Sequence, residues 1–230
     1  MPGPQFIIEA NYRDLDRAQA LIDAYPKQVP FALAVGLTAT ARRVQKAIEN
    51  EVVARFDRPT PYIRRSIRTR PATKSNLKAE VLFKDDRYGG SPATRFIAPH
   101  VRGGYRSRKK FEGELQRMGL LPSGHYAVPA NALRLDQYGN VRRGTINRIM
   151  AQLRGEDSKK RFFSATIKGT TGVWERYGRG RRNIRPVLLL VPERTYDDVL
   201  KFYDIGKDVV YEYATDDFIE ALQRAVATAK

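Results

Sequence analysis

The chain has 230 residues, 42 % of them hydrophobic, no cysteine and a formal net charge of +17. That length suits one domain carrying an elaborated insertion, and the apolar share is enough for a sizeable core. Without cysteine there is no disulfide, thiolate zinc site or cysteine nucleophile, and no apolar run reaches the roughly 18 residues that span a bilayer. The opening Met-Pro-Gly-Pro-Gln-Phe has neither the basic region nor the apolar stretch of a signal peptide, so an intracellular origin is expected.

Taken in chain order, residues 5–12 (QFIIEANY) partly alternate and predict a short strand, and 13–24 predict a first helix ending before Pro26. Between Pro30 and Phe56 the apolar residues Leu33, Leu37, Ala41, Val44, Ile48 and Val52 recur every three or four positions, which is one helical face. Pro30 suits a first turn and Pro59 a stop. Strands are predicted over 62–70 (YIRRSIRTR) and 77–83 (LKAEVLF), joined as a hairpin through the polar turn 71–76. In the second strand Leu77, Ala79, Val81 and Phe83 alternate with more polar positions; in the first, Arg64, Arg65, Arg68 and Arg70 bracket Ile63 and Ile67 and leave a basic face.

Residues 85–109 are rich in Gly, Pro and Arg and read as a long loop with a short strand near Phe96–Ile97. Short amphipathic helices are predicted over 110–118, closed by Gly119, and over 145–153, ended at Gly155, with irregular, turn-prone sequence at 126–140. Strands follow at 162–167, 173–176 and 185–191. The last, RPVLLLV, is apolar on both faces and is expected at the centre of its sheet. A final helix over 211–230 has Phe218, Leu222 and Val226 at four-residue spacing, with Asp216 and Asp217 near its start and Arg224 and Lys230 near its end. The expected fold class is α+β: a long N-terminal and a C-terminal helix packed on a small, mostly antiparallel sheet, in a single domain over 1–230 with an irregular, loop-rich insertion at about 85–160.

Placement of the charge matters more than its size. Residues 60–110 carry 14 Lys/Arg against 3 Asp/Glu, residues 134–186 carry 14 against 4, and the remainder carries 14 against 18. A field of that shape attracts polyanions or acidic protein surfaces. It condenses into RGGYRSRKK (102–110) and ERYGRGRRNIR (175–185), the second with arginine and no lysine. Glycine and tyrosine between arginines suit single-stranded nucleic acid. A solvated loop gives the same pattern, and so do arginine forks that grip carboxylates of a neighbouring subunit. The candidate contact residues are Arg102, Arg106, Arg108, Lys109, Lys110, Arg176, Arg179, Arg181, Arg182 and Arg185.

Catalytic patterns are weak. His100 and His125 are 25 residues apart with no second ligand type clustered at either, and there is no G-x-S-x-G elbow or P-loop. The acidic pairs at 85–86, 197–198 and 216–217 are pairs in sequence, which does not make them converge on a metal. No metal, cofactor or catalytic residue is expected.

Three ordered stretches carry a family resemblance: 55–86, containing F-D-R-P-T-P-Y; 93–155, containing A-P-H-V-R-G-G and R-L-D-Q-Y-G-N-V-R-R-G; and 172–206, opening on G-V-W-E-R. Together they resemble tailed-bacteriophage and prophage proteins of the minor tail protein Z-like, tail-completion family, over roughly residues 30–226. The resemblance implies a non-enzymatic structural component of the virion neck, made in the bacterial host cytoplasm. Its implied partners are further copies of itself in a ring, six-fold by analogy, the adjoining tail-terminator, tail-tube or head-completion proteins, and packaged DNA in the lumen, with no membrane contact. The alternative is a non-enzymatic nucleic-acid-binding protein.

Overall fold

The computed structural model describes residues 3–9, 19–84 and 92–228; the start of the expected first helix (13–18) and the Asp85–Asp86 pair lie outside them. The fold is α+β, with seven α-helices and two antiparallel sheets among the described residues. By contacts the chain divides into two units, residues 1–103 with 196–230, and residues 104–195. Where the sequence suggested an irregular insertion at about 85–160, residues 104–195 carry a sheet of their own. Only 85–109 and 126–140, where apolar residues are few and scattered, lacked a periodic signal.

In the first unit, β1 (Gln5–Glu9), β2 (Ile67–Arg70) and β3 (Lys78–Phe83) form a sheet ordered β1-β3-β2. β3 is central, and its register sets Val81 opposite Phe6 and Thr69. Against the sheet lies α2 (Val29–Arg55), following the short α1 (Gln19–Ala24) and a 3₁₀ turn. The predicted stripe is the buried one: Ala41, Val44, Ile48 and Val52 are fully buried and share a cluster with Ala79, Val81 and Phe83. At about 1.5–3 kcal/mol for each large aliphatic side chain removed from water, this stripe is what makes so long a helix stable.

The second long helix, α7 (Phe202–Ala227), begins nine residues before the expected start. Phe202, Ile205 and Val209 extend its apolar face on to the sheet cluster, a spacing that the acidic and aromatic residues between them obscured. It crosses α2 with backbones nearly touching: a Cβ built on Gly36 lies 2.8 Å from Phe218 Cα. Beside that crossing the buried Asp217 carboxylate accepts from Thr40 Oγ1 (2.9 Å) and Arg43 Nε (3.0 Å).

Two expectations here are corrected. Residues 61–64 are not strand: α3 (Pro61–Arg64) is a helical turn, because Pro61 fits a first helical position and the Thr60 hydroxyl accepts from Ile63 N at 3.3 Å. The strand expected near Phe96–Ile97 is α4 (Thr94–Arg102), which holds Ile97 and Val101 one turn apart against the core, with Pro99 inside it.

The His100 ring, in the last turn of α4, packs T-shaped against Phe56 (ring centroids 4.8 Å apart) and Tyr196 (5.1 Å), and burial pulls its pKa below the usual imidazole value. Protonation therefore favours the unfolded chain. The stability this residue contributes is intact above the unfolded imidazole value of about 6.5 and is lost as pH falls from there through the folded value. NMR titration is expected to place the His100 midpoint below the unfolded imidazole value of about 6.5, and His100→Phe is expected to flatten stability across that window.

The second unit is built on β4 (His125–Pro129), β5 (Phe162–Ile167), β6 (Thr170–Tyr177) and β7 (Asn183–Pro192), ordered β4-β7-β6-β5 and antiparallel throughout. β7 has a neighbour on each side, as its run of apolar residues predicted. β5 and β6 turn on Lys168 and Gly169, both at positive φ (51° and 76°), the backbone that a two-residue hairpin loop needs and glycine adopts without strain. Helices α5 (Lys110–Arg117) and α6 (Arg143–Leu153) supply Leu115, Ile149 and Met150 to the sheet's core clusters.

Candidate interaction surface

Antiparallel pairing of β6 and β7 brings the second arginine cluster to one end of the four-stranded sheet. Glu175 in β6 stands opposite Arg185 in β7 and opposite Phe162 in β5. Glu175 is 6 % exposed; its carboxylate accepts from Arg185 Nε (2.7 Å) and is ion-paired with Arg161 Nη2 (2.8 Å). The Arg185 guanidinium also lies over the Tyr177 ring at 4.7 Å. Of the predicted contact residues, Arg185 is thus tied down inside its own unit, its charge shared with Glu175.

Beyond that pair the chain turns over through Gly178 and a 3₁₀ turn at Arg179–Arg181. Arg179 and Arg182 are exposed, and neither forms an ion pair among the described residues. Arg176 is exposed as well, its guanidinium 4.3 Å over the Phe163 ring, which orients it without neutralising it. The tip therefore presents Arg176, Arg179 and Arg182 with no carboxylate partner among the described residues.

The first cluster is split. Arg102 closes α4 in the first unit and is exposed, while 106–110 belong to the second. Arg106 turns inward. Its Nη1 donates to Glu112 Oε2 at 2.8 Å and its Nη2 to Oε1 at 2.5 Å, with the guanidinium 3.8 Å over the Tyr126 ring. The Tyr126 hydroxyl donates back to the Arg106 carbonyl at 2.8 Å. Glu112 has no exposed surface and also accepts from the Lys109 amide (2.7 Å) and the Ala127 amide (3.1 Å). The first of these is half of a capping box at the start of α5; the second closes an edge position of β4 that would otherwise be open to another strand.

Arg108 bonds Gln116 and, at 3.1 Å, Glu193. Lys109 and Lys110 are exposed. The structure thus brings Arg176, Arg179 and Arg182 together as an outward-facing group, and assigns Arg106, Arg108 and Arg185 internal partners. The sequence reading missed those partners, Glu112, Glu175 and Glu193, and the further cation Arg161. Only Glu112 had a legible local signal, a glutamate three residues after the N-cap of an amphipathic helix.

Among the described residues there is no group of three or more His, Cys, Asp or Glu placed to hold a metal ion, and no helix long and apolar enough to cross a membrane. No protein-family model, curated protein or solved structure matches the chain.

Proposed function

We propose that this chain is a structural subunit of a tailed-phage particle, a tail-completion component at the head–tail junction that assembles as a ring. The observation that carries the reading is the ordered series of sequence stretches over 30–226 that resemble the minor tail protein Z-like family. The exposed arginines at the β6–β7 tip support it, since a neck subunit needs cationic surface facing packaged DNA or acidic neighbours. In this reading the protein performs no catalysis; its work is adhesion in a fixed geometry, with complementary charge setting register and speeding assembly. Its place is the virion, and its partners are its own copies and the adjoining tail and head proteins.

Two experiments test this. The chain should be found in purified mature particles, at a copy number divisible by three or six. Neutralising Arg179, Arg181 and Arg182 together should block the joining of tails to heads while thermal melting stays unchanged, because Arg179 and Arg182 are exposed and lie outside the buried ion pairs described above. Normal infectivity from that triple variant would refute the placement of the tip at a joint.

The same exposed group favours a second reading, direct binding of nucleic acid. Each phosphate neutralised on duplex DNA contributes about −0.9 to the slope of log affinity against log salt. The triple variant should then bind with a slope shallower by about 3. A salt-independent affinity, or none, removes this reading and leaves the first intact.

A further inference from the structure

The N-terminal half of α2 is apolar on more than one side. One face enters the sheet core through Leu37 and Ala41, and a second meets α7 through Ala32, Leu33 and Gly36. A third, made by Phe31, Ala34, Val35, Thr38 and Ala39, floors a groove of about 500 Å³ walled by Ala72 and Thr73. Phe31 and Val35 remain 39 % and 38 % exposed there. Arg42, Lys74 and Arg224 rim it, Lys74 lying 5.0 Å over the Phe31 ring and Arg224 bonded to Glu220. An apolar floor of small side chains under a cationic rim suits a protruding aromatic residue flanked by carboxylates.

The same chain carries such a feature. Tyr211 on α7 is 96 % exposed, further out than any other large apolar side chain described. Along α7 Asp204, Asp208, Glu212, Asp216 and Glu220 recur every fourth residue, all of them exposed, with Asp208 and Glu212 nearest Tyr211 in the chain. Like charges at that spacing destabilise a helix by about 0.2–0.5 kcal/mol per pair, so α7 carries this stripe, about 24 Å long, against its own stability. In a chain of net charge +17, a protruding tyrosine flanked by Asp208 and Glu212, with Lys207 one turn before it, is a surface complementary to that cation-rimmed groove. Tyr211, almost wholly in solvent, does not fill the groove of its own chain.

We infer that the α2 groove receives Tyr211 and the flanking acidic face of α7 from a second copy of this chain. Groove and knob are different surfaces, so the contact is head-to-tail and propagates into a closed ring or an open fibre. This rests on the ring reading above and names the surfaces that would make it. Tyrosine seated in an apolar pocket supplies the anchor, and Asp208 and Glu212 against Arg42 and Lys74 supply register.

Sedimentation of the full chain at low and at physiological salt is the test. Self-association should be present at low salt and weaken as salt rises, because its charge pairs lie at the rim. Tyr211→Ala and, separately, Val35→Glu should each weaken association about tenfold or more. Both positions are exposed, so unchanged thermal melting of each variant confirms that the fold is intact. A mixture of the two variants should form dimers that grow no further, since one supplies an intact groove and the other an intact knob. Association as strong in both variants as in the parent chain overturns the inference, yet leaves a ring built from other surfaces. A parent chain that stays monomeric at low salt overturns it too, while the copy number in particles still decides the neck assignment separately.

Discussion

Replacing Glu112 with alanine is expected to destabilise residues 104–195 by about 3–5 kcal/mol, the cost of leaving a buried charge without its partner. The carboxylate has no exposed surface and collects four hydrogen bonds, two from Arg106 and one each from the Lys109 and Ala127 amides. Its removal strands a guanidinium whose side chain is 16 % exposed, frees the start of α5, and opens the edge of β4. Glu112→Gln, which keeps the shape and half of the acceptor capacity, should fall between alanine and the parent. Hydrogen exchange makes the loss local: protection at the Ala127 amide should collapse in the alanine variant.

A pH dependence accompanies this. Burial alone would raise the Glu112 pKa, but the Arg106 guanidinium and the two amides outweigh it and hold the carboxyl below the usual glutamate value. The stabilisation is therefore complete above the unfolded value of about 4.3 and is lost as pH falls below it through the folded value. In Glu112→Ala that acid-induced loss should disappear from the urea-melt profile of this unit, whatever other carboxylates contribute.

The contrast between the two arginine clusters shows what a sequence can and cannot reveal. Their positive charge was plain, but charge on a linear chain has no address. Arg185 is paired because antiparallel register sets it opposite Glu175, and Arg106 because α5 and β4 converge on Glu112. Glu175 is separated from Arg185 by the β6–β7 turn, which no periodicity predicts, and Glu112 from Arg106 by an extended stretch leading into α5. The elements legible beforehand were those whose burial repeats: six apolar residues on one face of α2, and β7, apolar on both sides. α4 was illegible because its buried set is only Ile97, Pro99 and Val101, one of them a proline, in a segment otherwise read as loop. β4 is five residues ending in a proline, too short for alternation to show.

The same reasoning explains why the exposed tip was only partly foreseeable. Arg176, Arg179 and Arg182 have no carboxylate partner among the described residues because the β6–β7 connection carries glycines and arginines but no acid. Among the described carboxylates Glu112, Glu175 and Asp217 are buried with partners, while Asp204, Asp208, Glu212, Asp216 and Glu220 lie exposed along α7. The described surface thus carries cationic side chains at the β6–β7 tip and exposed carboxylates along α7.

The crossing of α2 and α7 supplies the sharpest test of packing, because two expectations oppose each other there. On intrinsic propensity, alanine is better than glycine inside a helix by about 0.8–1 kcal/mol, so Gly36→Ala should stabilise. At Gly36, however, the added Cβ lies 2.8 Å from Phe218 Cα and 3.1 Å from Phe218 N, atoms of a helix backbone that no rotamer change can move aside. Relieving that contact means shifting α7 bodily, which pulls Asp217 from Thr40 and Arg43 and loosens the Ala32, Leu33 and Leu222 contacts. Overpacking of this kind typically costs about 1–3 kcal/mol, and the loss of the Asp217 bonds adds to it. Gly36→Ala is therefore expected to destabilise despite its propensity gain, and Gly36→Val to cost about 3 kcal/mol or more. The control is Gly113, inside α5 with nothing within 4 Å of its added Cβ. Gly113→Ala should stabilise by about 0.5–1 kcal/mol. Urea melts of the three variants decide the matter: if Gly36→Ala matches Gly113→Ala in sign, the close approach of α2 and α7 is wrong.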